Sequence, residues 1–509
     1  MTSAPDASKP SPVSLTEAIS SSDDLWRSVL CQHDCEFDLD HFEAAMLNLI
    51  FQPNINSSSI MRTDVVYDSE SHGTNGAEAG AADEFVAQER RVTLGLVESG
   101  LLSSDLPDRR ILRTLVPRNP NKDLPMKQTC HIYSSDHTRS VVYIPHLDSR
   151  DATPYYHPAV SGILLQYKKP ANDANALGEL RLYYRLFPED QHTGLSNRLE
   201  RTALRLITTA ARHSKGTMSG YEKRVHHDVV VDKVAFQNRY LELKDKHARF
   251  LIDNWVESTD PKKHVFEDLS IAAFLIELWQ TRFGHSPDSK KLIFADLGCG
   301  NGVLVYILIM EGYEGYGIEA RRRKTWSIFP QRVQDCLREQ VLLPYLCFDS
   351  EEAEHQWSSE TGLRFHNGKF DSATFIIGNH SDELTPWIPL LDCPFIVIPC
   401  CSHAFSGAKH RYPTTVSAAT ALDKATGQQK LSTYGALVEH VARLADQLGW
   451  SVEREMLRIP STRNASIIGL GKREEGGVLS PREVLMQNGG AAGFIENVTA
   501  LMSRNPRSH

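Results

Sequence analysis

The segment Asp296-Leu-Gly-Cys-Gly-Asn-Gly302 joins a short apolar run, Ile293–Ala295, to the largely apolar octet Val303–Met310. A strand that ends on a carboxylate and turns through alternate glycines into a helix lets a ligand approach the backbone closely. Glu319 closes the next strand, 21 residues after Gly298. A carboxylate at that place can accept both hydroxyls of an adenosine ribose. Two blander readings compete, a glycine-rich turn that holds nothing and a dinucleotide site. The second asks for G-x-G-x-x-G with a pyrophosphate on the helix N-terminus, and here the third glycine is misplaced.

A second reactive group follows the fourth strand of the same pattern. Within Gly378–Trp387 stand Asn379, His380, Asp382 and Glu383, at the carboxyl edge of a parallel sheet, where ligands bind in such folds. A hydroxyl is a weak acid, so a nearby carboxylate, Lys or His commonly assists when it acts as a nucleophile. Asp382 and Glu383 can equally be first-turn acids of a helix capped near Ser381, and His380 a structural hydrogen-bonding group. Arg321, Arg322, Arg323 and Lys324 start a helix after Glu319, at its positive end, which favours an anion in front of them. Lys409–Arg411 and the turn holding Arg463 add further cations. Cys400, Cys401 and His403 fall short of a zinc set, as do Cys31, His33 and Cys35, so no metal is expected. Cys299 has no base beside it for nucleophilic catalysis.

The glycine segment resembles motif I of the S-adenosylmethionine (AdoMet)-dependent methyltransferases. The resemblance implies that Asp296, Gly298, Gly300, Asn301, Gly302, Glu319 and Asn379 hold AdoMet, Asp296 and the loop taking its amino-acid portion. Longer stretches are similar to one family, the tRNA uridine 2′-O-methyltransferases that modify position 44 of serine tRNAs. They are Asn254–Phe274, Gly315–Trp326, Ile377–Ile388, Ile398-Pro-Cys-Cys401 and Arg458-Ile-Pro-Ser-Thr-Arg-Asn464. The most distinctive run is Gly378-Asn-His-Ser-Asp-Glu-Leu-Thr-Pro-Trp387. What this implies is AdoMet-dependent ribose methylation of a uridine in tRNA, in the cytoplasm, with the question of a protein partner left open. Some ribose methyltransferases use a Lys-Asp-Lys-Glu tetrad, for which Lys263, Asp382 and Lys409 are three candidates. Asp382 is then expected to orient or deprotonate the hydroxyl through a neighbouring Lys or His, with His380 a further catalytic candidate. Arg321, Arg322, Arg323, Lys324 and Arg463 are expected to meet RNA phosphates. Competing functions are a methyltransferase for proteins or small molecules, which leaves the basic clusters unexplained, and a non-catalytic AdoMet-binding scaffold or partner subunit.

The elements that must position these residues read as α/β. Short apolar strands alternate with helices over 291–475, the pattern of a Rossmann-like AdoMet-dependent methyltransferase domain. Strands are expected at Lys291–Asp296, Gly315–Glu319, Tyr345–Phe348, Thr374–Ile377, Phe395–Ile398, Ser451–Leu457 and Ser466–Gly471, the last two as an antiparallel hairpin. A helix carrying Leu437, Val441, Leu444 and Leu448 should stop at Gly449. Helices over Phe236–Ile252 and Val265–Gln280 make a lead-in spanning 220–290. Residues 23–219 read as a separate mixed α+β module, a candidate tRNA-docking surface. It has strands at Ser140–Ile144, Gly162–Tyr167 and Leu180–Tyr184, helical spacing over Leu25–Leu49 and a flexible acidic insertion near 54–83. Its basic end, from Arg198 to Arg224, suits a solvated helix face or a phosphate contact. Residues 1–22 read as a disordered tail without a signal sequence, and 476–509 as a helix and tail.

Composition sets the outer limits. The 509 residues are 41% hydrophobic and 23% charged, which excludes collagen-like, wholly disordered and disulfide-scaffold classes. No apolar run approaches the roughly 18 to 20 residues of a membrane span. Nine cysteines without framework spacing suit reduced thiols in a cytosolic or nuclear compartment. A net charge of −9 argues at face value against a nucleic-acid partner. Residues 1–100, however, hold 17 Asp and Glu against 5 Lys and Arg, a net of −12, which leaves +3 for the rest.

Overall fold

The computed structural model describes residues 11–12, 26–70, 84–170, 176–192, 194–220, 227–284, 292–416, 429–473 and 478–503. It divides into two compact units, Met1–Lys223 and Arg224–His509.

In the first unit, alternating β-branched and aromatic residues build one long antiparallel sheet. Its chain order is β1 (Trp26–Cys35), α1 (Leu39–Phe51), β2 (Ile60–Asp68), α2 (Val86–Glu98), β3 (Arg109–Pro117), β4 (Met126–Ser134), β5 (Thr138–Pro145), β6 (Gly162–Lys168), β7 (Gly178–Arg185) and α3 (Asn197–Met218). The strands lie in the order β1-β7-β6-β5-β4-β3-β2, with Ser11–Pro12 outside β1. On one face Phe42, Met46 and Ile50 of α1 and Ala203 and Ile207 of α3 pack against Ile163, Leu165 and Tyr184. On the other, Val92 and Leu96 of α2 cover Val142, Leu164 and Tyr183.

Three expected strands of this unit are present, and two expectations fail. Within Leu25–Leu49 the described residues form not one helix but the strand Trp26–Cys35 and a helix from Leu39, with Asp34 left-handed (φ 54°) near the strand's end. Trp26, Val29, Leu30 and Cys31 are buried, and a short apolar run of that kind fits either period. Residues 60–68 of the expected flexible insertion form β2. It is polar because it is an edge strand, with Asp68 paired to Arg109 at 2.6 Å and Asp64 to Arg62 at 2.7 Å. Residues 71–83, most of 1–22, and Lys223, Arg224 and His226 lie outside the described residues.

The second unit opens with α4 (Lys233–Asp253) and α5 (Pro261–Phe283), both anticipated. Then come β8 (Ile293–Leu297), α6 (Val303–Met310), β9 (Glu314–Glu319), β10 (Leu337–Glu339), β11 (Thr374–Asn379), β12 (Phe395–Ile398), α7 (Thr433–Gln447), β13 (Trp450–Met456) and β14 (Ala465–Lys472). The sheet runs β10-β9-β8-β11-β12-β14-β13. Its first five strands are parallel, and β14 is antiparallel to both neighbours. Both faces are covered, which is why these strands read as apolar runs. Phe294, Phe375 and Ile396 meet α4, α5 and α6 on one side, and Ile376, Val397 and Ile467 meet α7 on the other.

The third strand is a correction. Tyr345–Cys347 is a 3-10 turn, and Leu337–Glu339 takes the edge instead. Arg338 and Glu339 are exposed there, so an edge strand with one buried side chain carries no apolar run to detect. The antiparallel hairpin and the stop at Gly449 (φ 84°) are as expected. Buried Glu455 on β13 accepts the backbone N–H groups of Asp228, Val229 and Val230 at 2.8, 2.7 and 2.9 Å. Arg458 pairs with Asp228 beside it, so the strand clasps the segment leading into α4. Helices Pro481–Gln487 and Phe494–Ser503 follow the sheet, and Arg504–His509 lie outside the described residues. Among the described residues no helix is long and apolar enough to cross a membrane, and all nine cysteines are free.

Candidate active site

The turn from β8 into α6 runs through three left-handed glycines, Gly298 (φ 77°), Gly300 (φ 51°) and Gly302 (φ 76°). Other side chains are strained in that conformation. A Cβ on Gly302 would also meet Leu337 at 3.1 Å and Trp326 at 3.2 Å, whereas one on Gly300 would project into open space. Neighbours fix the loop. The Gly298 amide donates to Ile318 O (2.8 Å), Trp326 Nε1 to Gly300 O (3.0 Å) and Thr325 Oγ1 to Asn301 O (2.8 Å). Glu319, at the end of β9, accepts the Gly300 amide at 3.1 Å. Asn301 serves the helix, its side chain accepting the Val303 amide at 2.9 Å.

Two adjoining cavities open at this edge, of about 300 and 360 Å³, and Gly298, Gly300 and His380 line both. Glu319, Arg321, Arg323 and Asp382 line the first, together with Gln340 and with Val498 and Leu501 of the last helix. Asp296, Asn301, Asn379, Lys263 and Arg463 line the second, together with Glu267, Asp268 and Cys400. Arg322, Lys324 and Lys409 line neither. Arg322 donates to Gln334 at 3.3 Å, and Lys409 is exposed, its backbone forming an isolated antiparallel β-bridge with His403.

The second cavity concentrates buried acid. Burial pushes the Asp296 carboxyl well above the usual range, with Asp268 and Glu319 adding to it. Asp268 is pushed up to about 8, by burial first and Glu267 next, against the Asn379 amide that donates to it at 3.1 Å. Asp296 Oδ1 is buried without a hydrogen-bond partner. Such a group is answered by a cation or donor from a ligand. With open space above Gly300 and Glu319 at the neighbouring strand end, the residues fit AdoMet, which carries an ammonium, a sulfonium and a ribose.

His380 and Asp382 are both left-handed, φ 51° and 44°, a cost that clusters at functional loops. His380 Nε2 lies 3.1 Å from Glu267 Oε1 of α5. The helix expected from Ser381 is only a 3-10 turn, Asp382–Leu384, and the Ser381 side chain does not cap it. Asp382 instead accepts the Cys400 thiol at 3.0 Å. Asp382, Cys400 and Cys401 bring three ligand atoms within 4.8 Å of one another, a juxtaposition hidden by their spacing but one short of a closed tetrahedral zinc set. Sequence reasoning missed Glu267, Asp268, Val498 and Leu501. The signal available was Asp268, an acid that falls between Val265 and Ala272 on the apolar face of α5.

Residues 4–224 match a family model described as a TRM44-like, N-terminal bet v1-like domain, and 230–344 one described as a predicted AdoMet-dependent methyltransferase. The tRNA (uracil-O(2)-)-methyltransferase of Kluyveromyces lactis is 43% identical over 95% of this chain and 96% of its own. Those of Eremothecium gossypii and Saccharomyces cerevisiae are 44% and 42% identical, over 94% and 93% of this chain and 95% and 92% of theirs. A solved structure of Ara h 8.0201 shares 8% identity, covering 38% of this chain and 98% of its own, with a TM-score of 0.22. With an AdoMet-dependent methyltransferase domain behind a bet v1-like one, the chain belongs to the tRNA (uracil-O(2)-)-methyltransferase family.

Proposed function

We propose that this protein methylates the 2′-hydroxyl of a uridine in tRNA, position 44 of serine tRNA in line with the family resemblance, and works in the cytoplasm. One observation carries the mechanism. His380, held by Glu267, stands where the glycine-loop cavity meets a second cavity lined by Lys263 and Arg463. AdoMet supplies an activated methyl group when bound. Asp296 receives its ammonium, Glu319 its ribose, and Asn379 completes the wall between β8 and β11. Gly298, Gly300 and Gly302 admit it to the backbone, and Asn301 caps the helix behind them.

With Nε2–H donated to Glu267, His380 keeps its lone pair on Nδ1, which takes the proton of the ribose hydroxyl. Glu267 then stabilises the resulting imidazolium. Lys263 and Arg463 hold the phosphates that flank the nucleotide, and Arg321 and Arg323 extend that surface. Asp382 supports the loop through Cys400. The free cysteines suit a reducing compartment. The test is incubation of the purified protein with labelled AdoMet and unmodified tRNA, then nuclease digestion. Label in 2′-O-methyluridine is the expected result. Label in another nucleoside, or in protein alone, rejects the proposal.

A further inference from the structure

The first unit encloses a cavity of about 290 Å³ between its sheet, α1 and α3. Its wall includes Arg113, Arg198 and Arg205 and not one Asp or Glu. Arg113 is 4% exposed, and among the described residues its guanidinium has only neutral hydrogen-bond partners. It donates to the Ile50 carbonyl and twice to Gln128 Oε1, at 2.6 and 3.2 Å. Gln128 passes its own amide to His157 Nε2 at 3.0 Å, and His157 Nδ1 donates to Pro158 O at 2.8 Å. Burial, with Arg113 adding to it against the Pro158 contact, holds His157 neutral, its pKa down to about 4. No member of this chain carries a negative charge. A buried guanidinium without a counter-charge is costly unless an anion reaches it.

Two further groups on the wall await partners. The Tyr143 hydroxyl and Asn56 Oδ1 are buried with no hydrogen bond, one able to donate and one to accept. Also on the wall, the Tyr155 ring is 71% exposed, with the Arg198 guanidinium 4.5 Å from its centroid. Arg205, with Arg201 and Arg212 elsewhere on α3, forms no hydrogen bond or ion pair among the described residues.

From these observations we propose that this cavity is a nucleotide-binding site that takes one unstacked nucleotide of the RNA substrate. The three arginines answer its phosphate. The Tyr143 hydroxyl and Asn56 carbonyl meet the polar edges of its base, and Tyr155 offers a face for stacking. The volume lies at the small end of the roughly 300–1,000 Å³ usual for ligand pockets, which suits one nucleotide and not a longer stretch. An apolar occupant would leave Arg113, Tyr143 and Asn56 unanswered. The assignment to RNA rests on the tRNA reading above, and the bare arginines of α3 continue the same chemistry beyond the cavity.

The experiment uses the full chain, with UMP and unmodified tRNA as probes. Arg205→Glu changes an exposed side chain, and Tyr143→Phe removes only an unsatisfied hydroxyl, so both variants are expected to fold. Wild-type protein should bind UMP, and tRNA should displace it. Both variants should weaken UMP binding, and Arg205→Glu should raise the KM for tRNA about tenfold, the scale of one charge-assisted phosphate contact. Affinity for S-adenosylhomocysteine should not move. A KM for tRNA within twofold of wild type in both variants overturns the proposal. So does UMP binding that tRNA leaves undisturbed, which would assign the cavity to a free nucleotide. A wild-type protein that binds UMP but never methylates tRNA marks failure of the functional reading instead.

Discussion

Between Glu267 and His380 a single hydrogen bond of 3.1 Å sets which imidazole nitrogen is free. His380→Asn should lower kcat by about 10²–10⁴-fold, the usual contribution of a positioned base, with S-adenosylhomocysteine affinity retained. Glu267→Gln should cost less, roughly tenfold in kcat, because the imidazole loses the partner that orients it. An unchanged kcat in both variants would remove His380 from the chemistry. A second prediction concerns Asp268, whose pKa rises to about 8 in the folded protein. Between the unfolded carboxyl value and that point the folded state holds a proton that the unfolded chain has released. The ligand-free protein should therefore lose stability as pH rises from about 5 to 8, and Asp268→Asn should flatten the slope of Tm against pH. The glycine loop was legible because close approach of a ligand demands one residue type at fixed steps. Glu267 and Asp268 were not, since a helix placed before the first strand of the sheet brings them in from a distant part of the sequence.

At the scale of elements, the strand–helix alternation of the second unit was readable because strands buried on two faces must be apolar. The third strand escaped because an edge needs no such run. The same physics hid β2, whose Asp64 and Asp68 look like loop chemistry until Arg62 and Arg109 stand beside them. Most telling is β13, where one carboxylate receives three successive amides. Glu455→Gln keeps the shape but removes the charge that those donors share. Hydrogen bonds to a charged group contribute about 1.5–3 kcal/mol each. Losing part of each should lower unfolding stability by about 2 kcal/mol or more, read from urea melts of the full chain, and an unchanged midpoint would reject the clasp.

For the whole molecule, the net charge of −9 misleads through its distribution. The acidic front is spent largely within its own unit. Asp68 and Glu89 pair with Arg109 and Arg110, Glu43 with Arg139, and Glu36 with Lys215. Arg201, Arg205 and Arg212 of α3 form no hydrogen bond or ion pair among the described residues. In the second unit Arg321 and Arg323 line the cofactor-side cavity and Lys263 and Arg463 its neighbour. The KM for tRNA should therefore climb steeply between 50 and 200 mM salt, as counterion release requires, while S-adenosylhomocysteine affinity barely changes. Charge reversal at Arg321 and Arg323 should make that salt slope shallower, by about one for each phosphate no longer neutralised. The clasp at Glu455 bears on how the two halves can be separated. A fragment of the catalytic half begun at Val230 would discard Asp228 and Val229. It would leave Arg458 without its carboxylate and Glu455 with one amide in place of three. Anyone wishing to express that half alone should begin it at or upstream of His227, and such a fragment should melt above one begun at Val230.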